Sequence, residues 1–151
     1  MESRHEKFRR LAENRLSRVF STLSLLENLA NKRYYDYTID ELNEMFEAIE
    51  KKGIEIKSYF EASAEKKELT KTFTFKTENK IKNKKNDKFR EIAENRLSKI
   101  FTDMNLIANL SNKSNYTYHD EEIEELFRAY EEKVIATKGR FIVKKSFKFS
   151  S

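Results

Sequence analysis

Cysteine, proline and tryptophan do not occur in this chain of 151 residues, and glycine occurs only at Gly53 and Gly139. Without cysteine there is no disulfide, no thiol nucleophile and no thiolate metal site. Proline and glycine break helices, so their scarcity favours long helices and short turns. No apolar run approaches the length needed to span a membrane, and the start MESRHEKFRR lacks the apolar core of a signal peptide, so a soluble, cytoplasmic protein is expected. Histidine occurs twice, as His5 and His119. There is no Ser-His-Asp or Cys-His set, no glycine-rich phosphate loop, and no paired Glu-x-x-His motifs of a di-iron bundle. The recurring carboxylates Glu41, Glu44 and Glu50 (Glu122, Glu125 and Glu131) are expected to form a helix cap and a solvated acidic face rather than an acid–base pair. This inventory argues against an enzyme and implies no cofactor, no metal and no small-molecule substrate.

What is present is a repeat. Residues 7–60 and 88–141 align without a gap at an offset of 81, with 26 of 54 positions identical. An internal repeat governs the reading of everything else. It predicts a pseudo-twofold object made of two like halves. The net charge is +5, but it is sorted into blocks. Residues 36–50 carry six acids and no base, and 120–132 carry seven acids and one Arg; residues 76–88 carry six Lys against two acids, and 138–149 carry five bases and no acid. Such sorting can present a basic face to an anionic partner.

In the first copy Ala12, Leu16, Val19, Leu23, Leu26 and Ala30 recur at alternating spacings of four and three; Ala93, Leu97, Ile100, Met104, Ile107 and Ser111 repeat them. That is a helical seam. A second seam runs through Ile39, Leu42, Phe46, Ile49, Gly53, Ile56 and Phe60, with Ile123, Phe127, Tyr130, Val134 and Phe141 as its counterpart. Thr38-Ile-Asp-Glu41 is a capping box, and His119-Asp-Glu-Glu122 a weaker one. Asn31 and Asn112 are expected to end the first helices in the left-handed conformation that Asn tolerates. One hairpin buries one face only, so two hairpins predict an all-α, pseudo-twofold four-helix bundle.

Each hairpin is followed by an alternating segment, Thr70–Lys76 and Lys144–Phe149, whose period is that of a strand. Phe73, Phe75, Phe147 and Phe149 are expected to pack back onto the bundle as β-like tails, with pairing between the tails or with a partner's sheet as alternatives. The expected organisation is a first hairpin with its tail over 1–75, a Lys-rich linker over 76–87 and a second hairpin with its tail over 88–151.

The longest identical block is Ala12-Glu-Asn-Arg-Leu-Ser17, repeated as Ala93–Ser98. On a helical wheel Lys7, Asn14, Arg18 and Leu25 lie opposite the seam, as do Lys88, Asn95, Lys99 and Leu106. Asn is a mediocre helix former, and its recurrence on a solvated face points to a bond with something. Arg15 and Arg96 flank the row, and Lys82, Lys84 and Lys85 belong to the linker. Together these are the candidate nucleic-acid contacts, weighed against solvated surface charge and intramolecular salt bridges. The tyrosines of Tyr35-x-Tyr37 and Tyr116-x-Tyr118 are read as packing the turns rather than stacking on bases. Along an antiparallel hairpin the charges predict a basic open end and an acidic turn.

The string K-F-x-x-x-A-E-N-R-L…N-L-x-N-K…Y-x-Y resembles a family of small helical-hairpin proteins of bacterial and phage type and of unassigned function, which carry one copy of the repeat and a short Phe-containing tail. The resemblance covers both repeats, excludes the linker and implies no functional residue. In architecture alone, the expected bundle is similar to repressor-of-primer-like bundles, which bind paired RNA loops. The expected function is non-catalytic binding of nucleic acid, with RNA or a ribonucleoprotein favoured as partner and no membrane. The alternative is a phage-type inhibitor or adaptor that binds a host defence protein, with acids Asp40, Glu44, Glu47, Glu121 and Glu125 mimicking nucleic acid.

Overall fold

Helix periodicity and the N-terminal cap at Thr38 act as the sequence predicts in the computed structural model, which describes residues 1–61 and 68–141. Four helices form: α1 (Arg4–Leu26), α2 (Ile39–Ser58), α3 (Lys84–Ala108) and α4 (Asp120–Gly139). Thr38 and Glu41 complete both limbs of the capping box of α2: the Glu41 N–H donates to Thr38 Oγ1 (3.1 Å) and the Thr38 N–H to Glu41 Oε1 (2.9 Å). Helices α1 and α3 tighten into single 3₁₀ turns, Glu27–Ala30 and Asn109–Ser111. The left-handed cap expected at Asn31 and Asn112 does not form. Both residues are extended, and their side-chain oxygens instead accept the N–H groups of Arg33 and Ser114, so Asn serves an Asx turn here.

The seams bury as predicted except at Ile39, which stands at the start of α2 and is 75% exposed; Val19, Leu23, Leu26, Ile49, Leu97, Ile100 and Ile107 are fully enclosed. The pairing of the helices is less obvious. Helix α1 packs along α3 and α4, and α2 packs along the same two, so the helices of one hairpin lie diagonally across the bundle. Each hairpin thus buries its seams against the other. Arg15 donates to Leu106 O and Arg96 to Leu25 O, which makes α1 and α3 antiparallel and exhibits the pseudo-twofold directly. Ring contacts obey the same symmetry: Phe8 meets Tyr118 as Phe89 meets Tyr37, and Phe60 meets Tyr118 as Phe141 meets Tyr37. Tyr37 and Tyr118 also donate to Ala30 O and Ser111 O, which commits both rings to closing the turns.

No strand forms among the described residues. The first tail lies extended in the groove between α2 and α3, its ladder replaced by helix side chains. The N–H of Phe73 donates to Ser98 Oγ (2.9 Å) and that of Phe75 to Glu94 Oε2 (2.9 Å), while Glu44 accepts from the N–H groups of Lys76 and Thr77. Phe73 is buried and its ring stacks edge-on to Phe101; Phe75 lies against Phe89. Glu44 therefore leaves the solvated acidic face expected for it. Its burial pushes its carboxyl up, but the Thr77 hydroxyl, the two N–H groups and Arg90 outweigh that and hold it below the usual range. The linker is also shorter than expected, since Asn83 caps α3 and Lys84 and Lys85 occupy its first turn. The second tail, Lys144–Phe149, lies outside the described residues.

Candidate nucleic-acid interface

The antiparallel union of α1 and α3 merges the two predicted rows into one outer face. Lys7, Asn14 and Arg18 are exposed on α1, and Lys88, Asn95 and Lys99 on α3. A rise of 1.5 Å per residue and the Arg15–Leu106 register place Lys7 and Lys88 roughly 40 Å apart along it. At its centre Arg18 (3.8 Å) and Lys99 (3.3 Å) converge on Asp103, whose side chain is only 8% exposed. Asn14 and Asn95 have no bonding partner among the described residues, although both copies keep them. Lys7 lies 5.8 Å from the Tyr116 ring, and Lys88 pairs with no described acid. Exposed Glu91 stands one turn from Lys88, where the first copy has Arg10.

Arg15 and Arg96 play a different part. Each reaches across to a carbonyl in the last turn of the antiparallel neighbour, where the helix leaves acceptors unpaired and the dipole favours a cation. They bond backbone rather than the acids expected, and they anchor the face. Lys82, with φ of 49°, and Lys84 and Lys85 are exposed at the end of the face beside the first turn, where Asn83 donates to Asp36.

Charge is sorted by layer. Helix α1 carries six bases and two acids, and α3 six and four; α2 carries six acids and three bases, and α4 seven and three. Since α1 adjoins α3 and α2 adjoins α4, the bundle has a basic layer and an acidic layer. The polarity along each hairpin does not survive as a basic end of the molecule. The hairpins are antiparallel, so the basic start of α1 lies beside the acidic start of α4, and likewise α3 beside α2.

Those junctions are a pair of related carboxylate sites. Glu41, 1% exposed, accepts from Thr38, from Asn86 Nδ2 (3.0 Å) and from Arg90. Glu122 occupies the matching place, with His5 at 2.8 Å, the His119 N–H at 2.9 Å and Arg9. The chain's two histidines thus meet, with ring centroids 5.1 Å apart. His5, His119 and Glu122 have the donor atoms of a cation site. However, His5 repeats the hydrogen-bonding task of Asn86, and Arg9 already neutralises the carboxylate. Burial pushes Glu122 up, but Arg9, the His119 N–H and His5 outweigh it and bring it down to about 2.

No family model, curated protein or solved structure matches this chain. The sequence reading missed two things. Ile54 and Ile135, identical and equivalent, are 71% and 68% exposed on the acidic layer. Glu44, Glu94 and Ser98 hold the first tail. Recurrence in both copies was the available signal for each.

Proposed function

We propose that this chain is a non-catalytic nucleic-acid-binding protein that engages RNA, or a ribonucleoprotein, through its α1/α3 face. The observation that carries the reading is the merger of two duplicated Lys/Asn/Arg rows into one exposed basic face, with recurring Asn side chains that bond nothing among the described residues. Lysines and arginines at intervals along a groove neutralise phosphates, and amides can bond sugars, phosphates or unpaired base edges. Lys84 and Lys85 sit in the first turn of α3 against the helix dipole, a placement that helix stability does not favour and an anionic ligand would.

The test is binding of structured RNA, single-stranded RNA and duplex DNA at low and moderate salt. Affinity for RNA falls steeply with salt, and changing Lys7, Arg18, Lys88 and Lys99 together to Ala flattens the log–log slope by about three to four. Absence of binding even at low salt would overturn the reading. A second reading rests on the opposite layer, where Ile54 and Ile135 stand among acids that include Glu50 and Glu131. Exposed apolar side chains ringed by charge suit a protein partner, as an inhibitor or adaptor would require, with exposed Asp40, Glu47, Glu121 and Glu125 available for nucleic-acid mimicry. Replacing Ile54 and Ile135 by Lys separates the two: it abolishes a protein complex and leaves RNA binding intact.

A further inference from the structure

The pseudo-twofold that pairs α2 with α3 also pairs α4 with α1, and it maps the groove holding the first tail onto a cleft of about 300 Å³ lined by α1 and α4. The residues that hold the first tail recur there unchanged. Ser98 and Glu94, which accept the N–H groups of Phe73 and Phe75, become Ser17 and Glu13. Phe101 and Phe89, which pack on the two rings, become Phe20 and Phe8, and Glu44 becomes Glu125.

All of these positions but Phe8, which is buried like Phe89, are more open in the cleft. Phe20 is half-buried where Phe101 is 5% exposed, and Glu13, Ser17 and Glu125 are exposed where Glu94, Ser98 and Glu44 are not. The side chains of Glu13, Ser17 and Glu125 bond nothing among the described residues. A surface that had no task would not keep Ser, Glu and Phe at the same five places.

We infer that the cleft is the docking site of the chain's own C-terminal segment Ser146-Phe147-Lys148-Phe149, seated as Thr72-Phe73-Thr74-Phe75 is seated in the α2/α3 groove. The segment repeats the Phe-x-Phe spacing, and Lys148 within it and Lys144 and Lys145 just before it match in charge the acids Glu13 and Glu125 that flank the cleft. Its reach suffices. Phe141 is anchored against Tyr37 and Phe46 as Phe60 is against Tyr118 and Phe127. The cleft position equivalent to that of Phe73 lies near Ala129, twelve residues or roughly 18 Å back along α4. Six extended steps from Phe141 to Phe147 cover roughly 20 Å. Phe147 N–H then donates to Ser17 Oγ and Phe149 N–H to Glu13, and the two rings cover Phe20 and Phe8.

The absence of cysteine makes the test direct. In the full chain, S17C/S146C is treated with a short thiol-to-thiol crosslinker beside T72C/S98C, which reports the filled groove, and S98C/S146C, which joins the tail to the wrong groove. The 17–146 link forms within one chain, at a yield about tenfold or more above the 98–146 control. Separately, F147A/F149A lowers Tm by about 4 °C or more, as F73A/F75A does. A 17–146 yield no higher than the control together with an unchanged Tm would overturn the inference. So would links found only between chains, which would assign the cleft to the tail of a second copy.

Discussion

At the scale of single residues, symmetry-related positions do unequal work. Gly53 lies inside α2, where glycine ordinarily costs about 1 kcal/mol against alanine. Here a Cβ would lie 2.5 Å from the Tyr130 ring, which is 1% exposed and donates to Ile49 O (2.6 Å). Burial also pushes the Tyr130 phenol up, so it remains a donor. G53A is expected to lower stability by about 1–3 kcal/mol, read by denaturant unfolding, despite the better helix propensity of alanine. The two carboxylate junctions offer a second contrast. The Arg90 side chain is 16% exposed and Arg9 59%. R90A leaves the buried Glu41 without its cation and is expected to cost about 3 kcal/mol or more, whereas R9A costs about 1 kcal/mol or less. Glu122 adds a pH signature. Its carboxyl sits at about 2 against an ordinary 4.5, so its stabilising effect is full above about 4.5 and disappears as pH falls towards 2. E122Q therefore flattens the loss of stability across that window, as measured by unfolding at stepped pH.

At the scale of elements, the ends and the tail are set by side chains rather than by backbone ladders. Arg15 and Arg96 bond the last turns of the neighbouring helices, and Glu44 accepts three donors from Lys76 and Thr77. E44A removes the common acceptor of that segment. Amide exchange at Lys76 and Thr77 should then speed up, with a global cost of about 1–3 kcal/mol and the four helices otherwise intact. Alternating apolar residues had pointed to a strand in Thr70–Lys76. The alternation is real, but it records a chain with one face on helices. Period two reports which side is buried and says nothing of what supplies the hydrogen bonds.

At the scale of the molecule, the diagonal arrangement makes each hairpin dependent on the other. A fragment of residues 1–83 has its two seams facing away from each other's partner, so it should be largely unfolded as a monomer. Circular dichroism and sedimentation should show helix returning only with self-association or on mixing with residues 84–151. The same arrangement decides electrostatics. It places α1 with α3 and α2 with α4, so block charges that alternate along the chain become opposite faces of one bundle, and a ligand is steered to one side of it.

The sequence by itself determined the four helices, their seams apart from Ile39, the capping box at Thr38, the turn packing of Tyr37 and Tyr118 and the exposure of Lys7, Asn14, Arg18, Lys88, Asn95 and Lys99, because periodicity and capping are local and each copy repeated them. The left-handed reading of Asn31 failed because an Asx turn and a helix cap use the same residue type. Which helix neighbours which, that the rows unite on one face, that Arg15 and Arg96 bond carbonyls, that the histidines meet, and that Glu44 leaves solvent were all decided by the tertiary structure. These depend on the relative direction of the hairpins. A seam specifies that a face is buried, and two antiparallel or two parallel hairpins bury the same seams; contacts between particular side chains distinguish them, among them the packing of Tyr130 on Gly53, the bonds of Arg15 and Arg96 to the opposite helix ends and the charge pairs at Glu41 and Glu122.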